Sequence, residues 1–259
     1  MTTINHYKFM LTYFMKPFCA IFFWLFSSSL FADSLRIALP DEDYPPYHFV
    51  DAQHKGILND VITLFSTTTG TQIDYTFVPE MRSAKMVQRG EVDARMESEV
   101  WLSSHEPYYW SQEIVRIEDV MVVAQGAKLI DLQQLDNLKS GVLLGRFGYV
   151  YPTFELLVKN KVLHRENYYS DLAMLQSLYR DTHAGRRFAV MSRSQIDWYV
   201  RQYPELSALV VSNENVGKAP LQLQFSYNSR GKKYAKEFND FLQRLKDSGE
   251  LARIIARYQ

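Results

Sequence analysis

Strand-like and helix-like segments alternate along residues 34–259, and that order constrains the fold more than any other feature of the chain. Residues 34–39 (Ser-Leu-Arg-Ile-Ala-Leu) make a short apolar strand that ends at Pro40 and an acidic, proline-rich loop, 41–46. Gly56 then opens a helix with Ile57, Leu58, Val61, Ile62 and Phe65 on one face, and Gly70 stops it. Ile73, Tyr75 and Phe77 alternate as in a strand, residues 81–89 form a helix ended by Gly90, and 92–96 form another strand. A β-α-β-α-β order predicts an α/β fold, with a parallel or mixed sheet and helices on its faces.

The apolar segment 117–124 reads as a long strand and leads into a second alternating unit. Its elements are a helix at 132–138, a strand at 141–144 and a helix at 151–159. A helix capped by Ser170 follows, with Leu172, Leu175, Leu178 and Tyr179 as its apolar face. Then come a strand at 187–191, a helix at 195–202 and strands at 208–211 and 221–227. The end is helical, with Tyr234, Phe238, Phe241, Leu242 and Leu245 on one face and Leu251, Ile254 and Ile255 after Gly249. Two such units joined by two crossing strands predict two lobes. The first is 33–120 plus 222–259 and the second 121–221, with a ligand cleft between them.

The first 32 residues differ in kind. They contain no Asp, Glu or Arg, two lysines (Lys8 and Lys16), and an apolar core at 18–26 that is too short to span a bilayer, which takes roughly 20 residues. Small residues at 27–29 and Ala32 follow, so 1–32 reads as a secretory signal peptide cut after Ala32, with a single-pass anchor as the alternative. Met15 is a second candidate start. Cys19, the one cysteine, lies inside this core, so the exported part would hold no cysteine and no disulfide. Removing Lys8 and Lys16 leaves 27 basic side chains against 29 acidic ones, a slightly negative balance that argues against a nucleic-acid partner. The histidines show no metal-ligand spacing, and no phosphate loop or nucleophile elbow is present, so neither a metal nor a cofactor is expected.

Several segments resemble the bacterial extracellular solute-binding proteins of family 3, the polar amino-acid type. They are Asp43-Tyr44-Pro45-Pro46-Tyr47-His48-Phe49, Gly56-Ile57-Leu58-Asn59-Asp60-Val61, Gly90-Glu91-Val92-Asp93-Ala94 and Pro107-Tyr108-Tyr109-Trp110-Ser111. Their order and spacing span residues 35–258. The resemblance implies a two-lobe periplasmic-binding-protein type II fold, a periplasmic location and delivery of ligand to the permease subunits of an ABC transporter. It also exposes departures. Amino-acid binders of the family carry a Thr-x-x-Arg stretch after the Val-Asp-Ala strand, whose Arg clamps the substrate carboxylate. Here the stretch is Arg95-Met96-Glu97-Ser98-Glu99-Val100-Trp101. Where the family places an Asp for the substrate ammonium, this chain has Arg193. A solute other than a standard α-amino acid held in the usual way is therefore expected.

Candidate ligand-binding residues follow from these positions. Tyr44 and Tyr47 supply aromatic walls, and Trp101 lies just beyond a strand at the cleft end. Glu97 would receive an amine or pair with an arginine. Arg82 opens a helix, while Arg146 and Phe147 follow a strand in the second unit. Arg82, Arg146 and Arg193 together could take a carboxylate. Core packing for the aromatics and surface ion pairs for the arginines are the competing roles. A monomeric, non-enzymatic solute-binding protein is the leading expectation. The alternatives are a periplasmic dehydratase of prephenate-like acids on the same fold and a ligand-sensing partner of a membrane receptor.

Overall fold

A computed structural model describes residues 33–51, 56–102, 106–129, 138–139, 141–181 and 186–258. The expected leader at 1–32 with Cys19, most of the expected helix at 132–138, and His54, His105 and His183 lie outside the described residues.

In the first half, β1 (Leu35–Leu39) pairs in parallel with β2 (Ile73–Phe77) and β3 (Ala94–Glu97). Helix α1 (Ile57–Thr69) buries Ile57, Leu58, Val61, Ile62 and Phe65, the five residues of its apolar stripe. Gly70 ends it in the left-handed region at φ 74°, which a glycine occupies without a Cβ penalty. Helix α2 (Glu80–Gln88) links β2 to β3, and β4 (Tyr109–Trp110) is a short addition. The C-terminal helices α6 (Ser229–Asp247) and α7 (Glu250–Ala256) return to this half. Phe238 and Phe241 of α6 meet Phe65 of α1 edge to face, with ring centroids 5.2 and 5.4 Å apart.

Strand β5 (Val115–Val123) leaves this half, and β9 (Val210–Phe225) returns to it. Between them lie β6 (Gly141–Arg146), α3 (Pro152–Lys159), β7 (Leu163–Tyr168), α4 (Asp171–Tyr179), β8 (Arg187–Ser192) and α5 (Arg193–Gln202). Strands β6, β7 and β8 are mutually parallel, and their two faces carry separate apolar cores. Val120 and Val122 of β5 enter one, with Met174, Leu175 and Leu178 of α4; Met121 and Val123 enter the other, with Phe154 of α3. The strand order is β2-β1-β3-β9-β5-β8-β6-β7.

Two expected strands, 208–211 and 221–227, are parts of the single strand β9. Residues 212–220 lack alternation because the register to β5 shifts twice along them, which interrupts the two-residue period. Strand β7 had no expected counterpart; its pattern is mostly polar, with Leu163 its one buried residue, because it is an edge strand. On α4, Met174 replaces Tyr179 in the buried face, and Tyr179 is exposed.

A buried anion ties the first half together. Asp93 is fully buried and accepts from Arg36 (backbone N, Nε and Nη2) and from Arg230 (Nε and Nη2) at 2.7–3.0 Å. Burial alone would raise its pKa, but these hydrogen bonds outweigh it and hold the carboxyl far below the usual carboxylate range. The stabilisation is therefore present above about pH 4 and lost as pH falls. We expect Asp93→Ala to cost about 3 kcal/mol at pH 7, since it strands two guanidiniums. Urea unfolding of the variant and the wild type measures this, and the difference should shrink toward pH 3.

Candidate functional site

The loop after β1 is pinned onto the start of α1. Leu58 N donates to Tyr47 O at 2.8 Å and Ile57 N to Pro46 O at 3.1 Å. Gly56 permits this approach, because a Cβ there would stand 2.4 Å from Tyr47 O. The loop in turn presents Glu42, Tyr44, Tyr47 and Phe49 to the second half. Tyr47 Oη and Ser192 Oγ are 2.5 Å apart, and Glu42 pairs with Arg146. Phe49 packs on Trp198 with centroids 5.7 Å apart, and the rings of Tyr44 and Tyr149 meet at 6.3 Å. Burial pushes the Tyr47 hydroxyl up to about 12, so it stays protonated.

These contacts flank a cleft lined by Tyr44, Glu80, Glu97, Trp101, Asp119 and Arg146, with Tyr149, Tyr151, Asp171 and Ser192 completing the wall. Gly145 lets the Tyr151 ring cross β6, since a Cβ would stand 2.7 Å from it, and Tyr151 Oη accepts from Arg146 N at 2.9 Å. The room inside is about 90 Å³, which suits a small solute rather than a peptide.

Four carboxyl groups line the cleft, and a fifth, Glu42, stands at its edge. Arg95, almost fully buried, donates to Glu80, to Glu97 and to Gln224 Oε1 (2.6 Å). Glu97 also accepts from Ser98 N at 2.8 Å. Burial raises both glutamates against the pull of Arg95, Glu80 to about 7. Arg146 donates to Glu42 and Tyr169 O, with its Nε 3.7 Å from Asp171. Asp171 accepts from Gln195 Nε2 at 3.2 Å, and burial lifts it to about 6. The Asp119 carboxyl has no hydrogen-bond or ion-pair partner among the described residues, and burial alone lifts it to about 6. It sits where β9 carries an extra residue, Val216, against β5, opposite Gly217 and Ser192.

Of the residues expected at the site, Tyr44, Glu97, Trp101 and Arg146 line the cleft, and Tyr47 closes over it through Ser192. The structure does not bring the three arginines together. Arg82 is exposed on α2, and Arg193 turns out toward the carbonyls of Ser212 (2.8 Å) and Asn213 (3.0 Å) on β9. Phe147 is 50% exposed and packs on Tyr169 instead of facing the cleft. Glu80, Arg95, Asp119 and Asp171 are not among the residues expected at the site from the sequence. Asp119 had a visible signal, a charged residue inside the apolar run 117–124, whereas Glu80 and Asp171 stand at helix starts, where an acid is ordinary. Among the described residues, no group of three or more His, Cys, Asp and Glu side chains is placed to hold a metal ion. None of their helices is long and apolar enough to cross a membrane.

A parallel sheet on each side of a two-stranded crossing, with a lined cleft between, is the architecture of the two-lobe periplasmic binding proteins. Residues 35–259 match the family described as bacterial extracellular solute-binding proteins, family 3, and the chain belongs to it. Three solved structures are similar in fold. The GluR0 ligand-binding core in complex with L-glutamate has a TM-score of 0.70 and 17% identity, over 87% of this chain and 97% of that one. The substrate-binding protein of an amino-acid ABC transporter has a TM-score of 0.66 and 15% identity, over 87% and 98%. A histidine kinase sensor domain with similarity to periplasmic binding proteins has a TM-score of 0.69 and 17% identity, over 87% and 96%. No curated protein sequence matches the chain.

Asp119 carries a cost in the unliganded protein that grows with ionisation. Its folded pKa lies above the unfolded value near 4, so the cost is absent at low pH and complete above about pH 6. Asp119→Asn should therefore raise the melting temperature at pH 7.5 by a few degrees and leave it nearly unchanged at pH 4. Scanning calorimetry of both proteins at the two pH values checks this.

Proposed function

We propose that this protein captures a small polar solute by closing its lobes over the cleft, and hands it to the membrane subunits of an ABC-type importer. The observation that carries this reading is the set of contacts joining 33–120 to 121–221 around the cleft: Tyr47 with Ser192, Glu42 with Arg146, and Phe49 with Trp198. Each partner comes from a different lobe as we divide them, with 222–259 completing the first. Such contacts form and break as a unit when two rigid bodies move on β5 and β9. Export by the leader at 1–32 and action in the periplasm belong to the same reading.

The solute is not an ordinary α-amino acid gripped by a free guanidinium, because both guanidiniums at the cleft already hold carboxylates. The same acids disfavour a prephenate-like dianion, and the protein acts as a binder rather than a dehydratase. A sensor partner would use the same closure; a histidine kinase domain of the same fold keeps that role open for the module.

The test is a thermal-shift screen of amino acids, amines, and di- and tricarboxylates. A true ligand at about 100 times its Kd should raise the melting temperature by about 5–10 °C. Small-angle scattering should show the radius of gyration fall with the same compound. If no small solute stabilises the protein, the capture reading is wrong. Tyr47→Phe, which removes the hydroxyl that bridges to Ser192, should weaken the ligand about fivefold while leaving the unliganded melting temperature within a degree or two. Isothermal titration measures that loss.

A further inference from the structure

We propose that the solute is an organic ammonium ion with an apolar tail and no carboxylate, its nitrogen held by Asp119. This rests on the capture reading above and names the solute class for the same cleft.

The first support is the charge arrangement. Five carboxyl groups, Glu42, Glu80, Glu97, Asp119 and Asp171, surround the cleft with two guanidiniums, Arg95 and Arg146. Arg95 is spent on Glu80, Glu97 and Gln224; Arg146 donates to Glu42 and Tyr169 O, while its buried Nε makes no hydrogen bond and lies 3.7 Å from Asp171 Oδ1. An incoming carboxylate would meet excess negative charge, and the unbonded guanidinium N–H at the cleft, Arg146 Nε, already stands 3.7 Å from the Asp171 carboxylate. An incoming ammonium meets Asp119, which already stands in the cleft without a partner among the described residues. Its position is built by the backbone: it lies where the β9 register shifts past Val216, and Gly217 opposite leaves it room, with Asp119 Oδ2 only 3.2 Å from where a Cβ would lie. Ser192, its cross-strand neighbour, carries the hydroxyl that Tyr47 contacts.

The second support is the shape beyond Asp119. A second hollow of about 110 Å³ shares Trp101, Asp119, Tyr151 and Val190 with the cleft and continues between Val100, Phe154 and Val216. Its walls are chiefly apolar. Its one ammonium, Lys218, pairs with Glu118 at 3.4 Å. An ammonium at Asp119 would thus have an aromatic face, Trp101, beside it and an apolar slot for its tail.

Phenethylamine and phenylalanine, which differ only by the α-carboxylate, test this on the purified full chain by isothermal titration. Phenethylamine should bind, phenylalanine should bind at least tenfold more weakly, and Asp119→Asn should weaken phenethylamine at least tenfold. Phenylalanine or glutamate binding as tightly as phenethylamine overturns the ammonium assignment and leaves the capture reading standing. Asp119→Asn with unchanged phenethylamine affinity removes Asp119 from the site and overturns the assignment. If phenethylamine does not bind while another solute of the screen binds and compacts the protein, the assignment fails and the capture reading stands; if no small solute binds, both fail. The wild-type comparison stands whether or not the variant folds.

Discussion

The antiparallel ladder between β5 and β9 is the constraint on which the other features of this protein rest. It runs from Val115 opposite Leu221 to Val123 opposite Val210, through the middle of the molecule. The same two strands pair outward with β3 on one side and β8 on the other, so they hold both halves by backbone hydrogen bonds. A ladder is strong along its hydrogen bonds yet bends and twists about its length, which suits it to join two separately cored bodies. The register shift between Asp119 and Val120 lies at the centre of this ladder, beside a carboxyl group that lines the cleft.

Around that ladder the protein buries more acid than base. Each carboxyl removed from water costs free energy unless it is paired, and the two arginines relieve only part of that cost. Glu80 at about 7, and Asp119 and Asp171 at about 6, register the remainder. Asp93, by contrast, is held by two arginines away from the cleft and lies far below the usual range. The same residue type is therefore structural glue in one place and, by the proposal above, a solute contact in another. The difference lies in whether donors converge on it. A cleft left with unrelieved negative charge gains when a cation enters, which links capture of the solute to relief of the strain.

Much of the fold was legible because burial writes a period into the chain. The stripe Ile57, Leu58, Val61, Ile62 and Phe65 became the buried face of α1, and Tyr234, Phe238, Phe241, Leu242 and Leu245 that of α6. Segments without a buried face were harder. Strand β7 lies at the sheet edge and the middle of β9 shifts register against β5, so neither alternates clearly. The site was legible where residue type and motif agreed, as for Tyr44 and Tyr47 in the proline-rich loop. It was misjudged for Arg193, whose position one residue past β8 places it at the start of α5, reaching toward β9 carbonyls rather than inward.

The sequence by itself determined the α/β alternation, the family, and the loop that carries the aromatic wall, because these depend on local periodicity and on neighbours in the chain. Only the tertiary structure decided which charges face one another. Arg95 with Glu80 and Gln224, Arg146 with Glu42, and Asp119 with no partner among the described residues are set by strand register and helix placement across up to 129 residues of chain. No local pattern carries that information, since a charge in the sequence looks the same whether its partner stands beside it in the fold or does not.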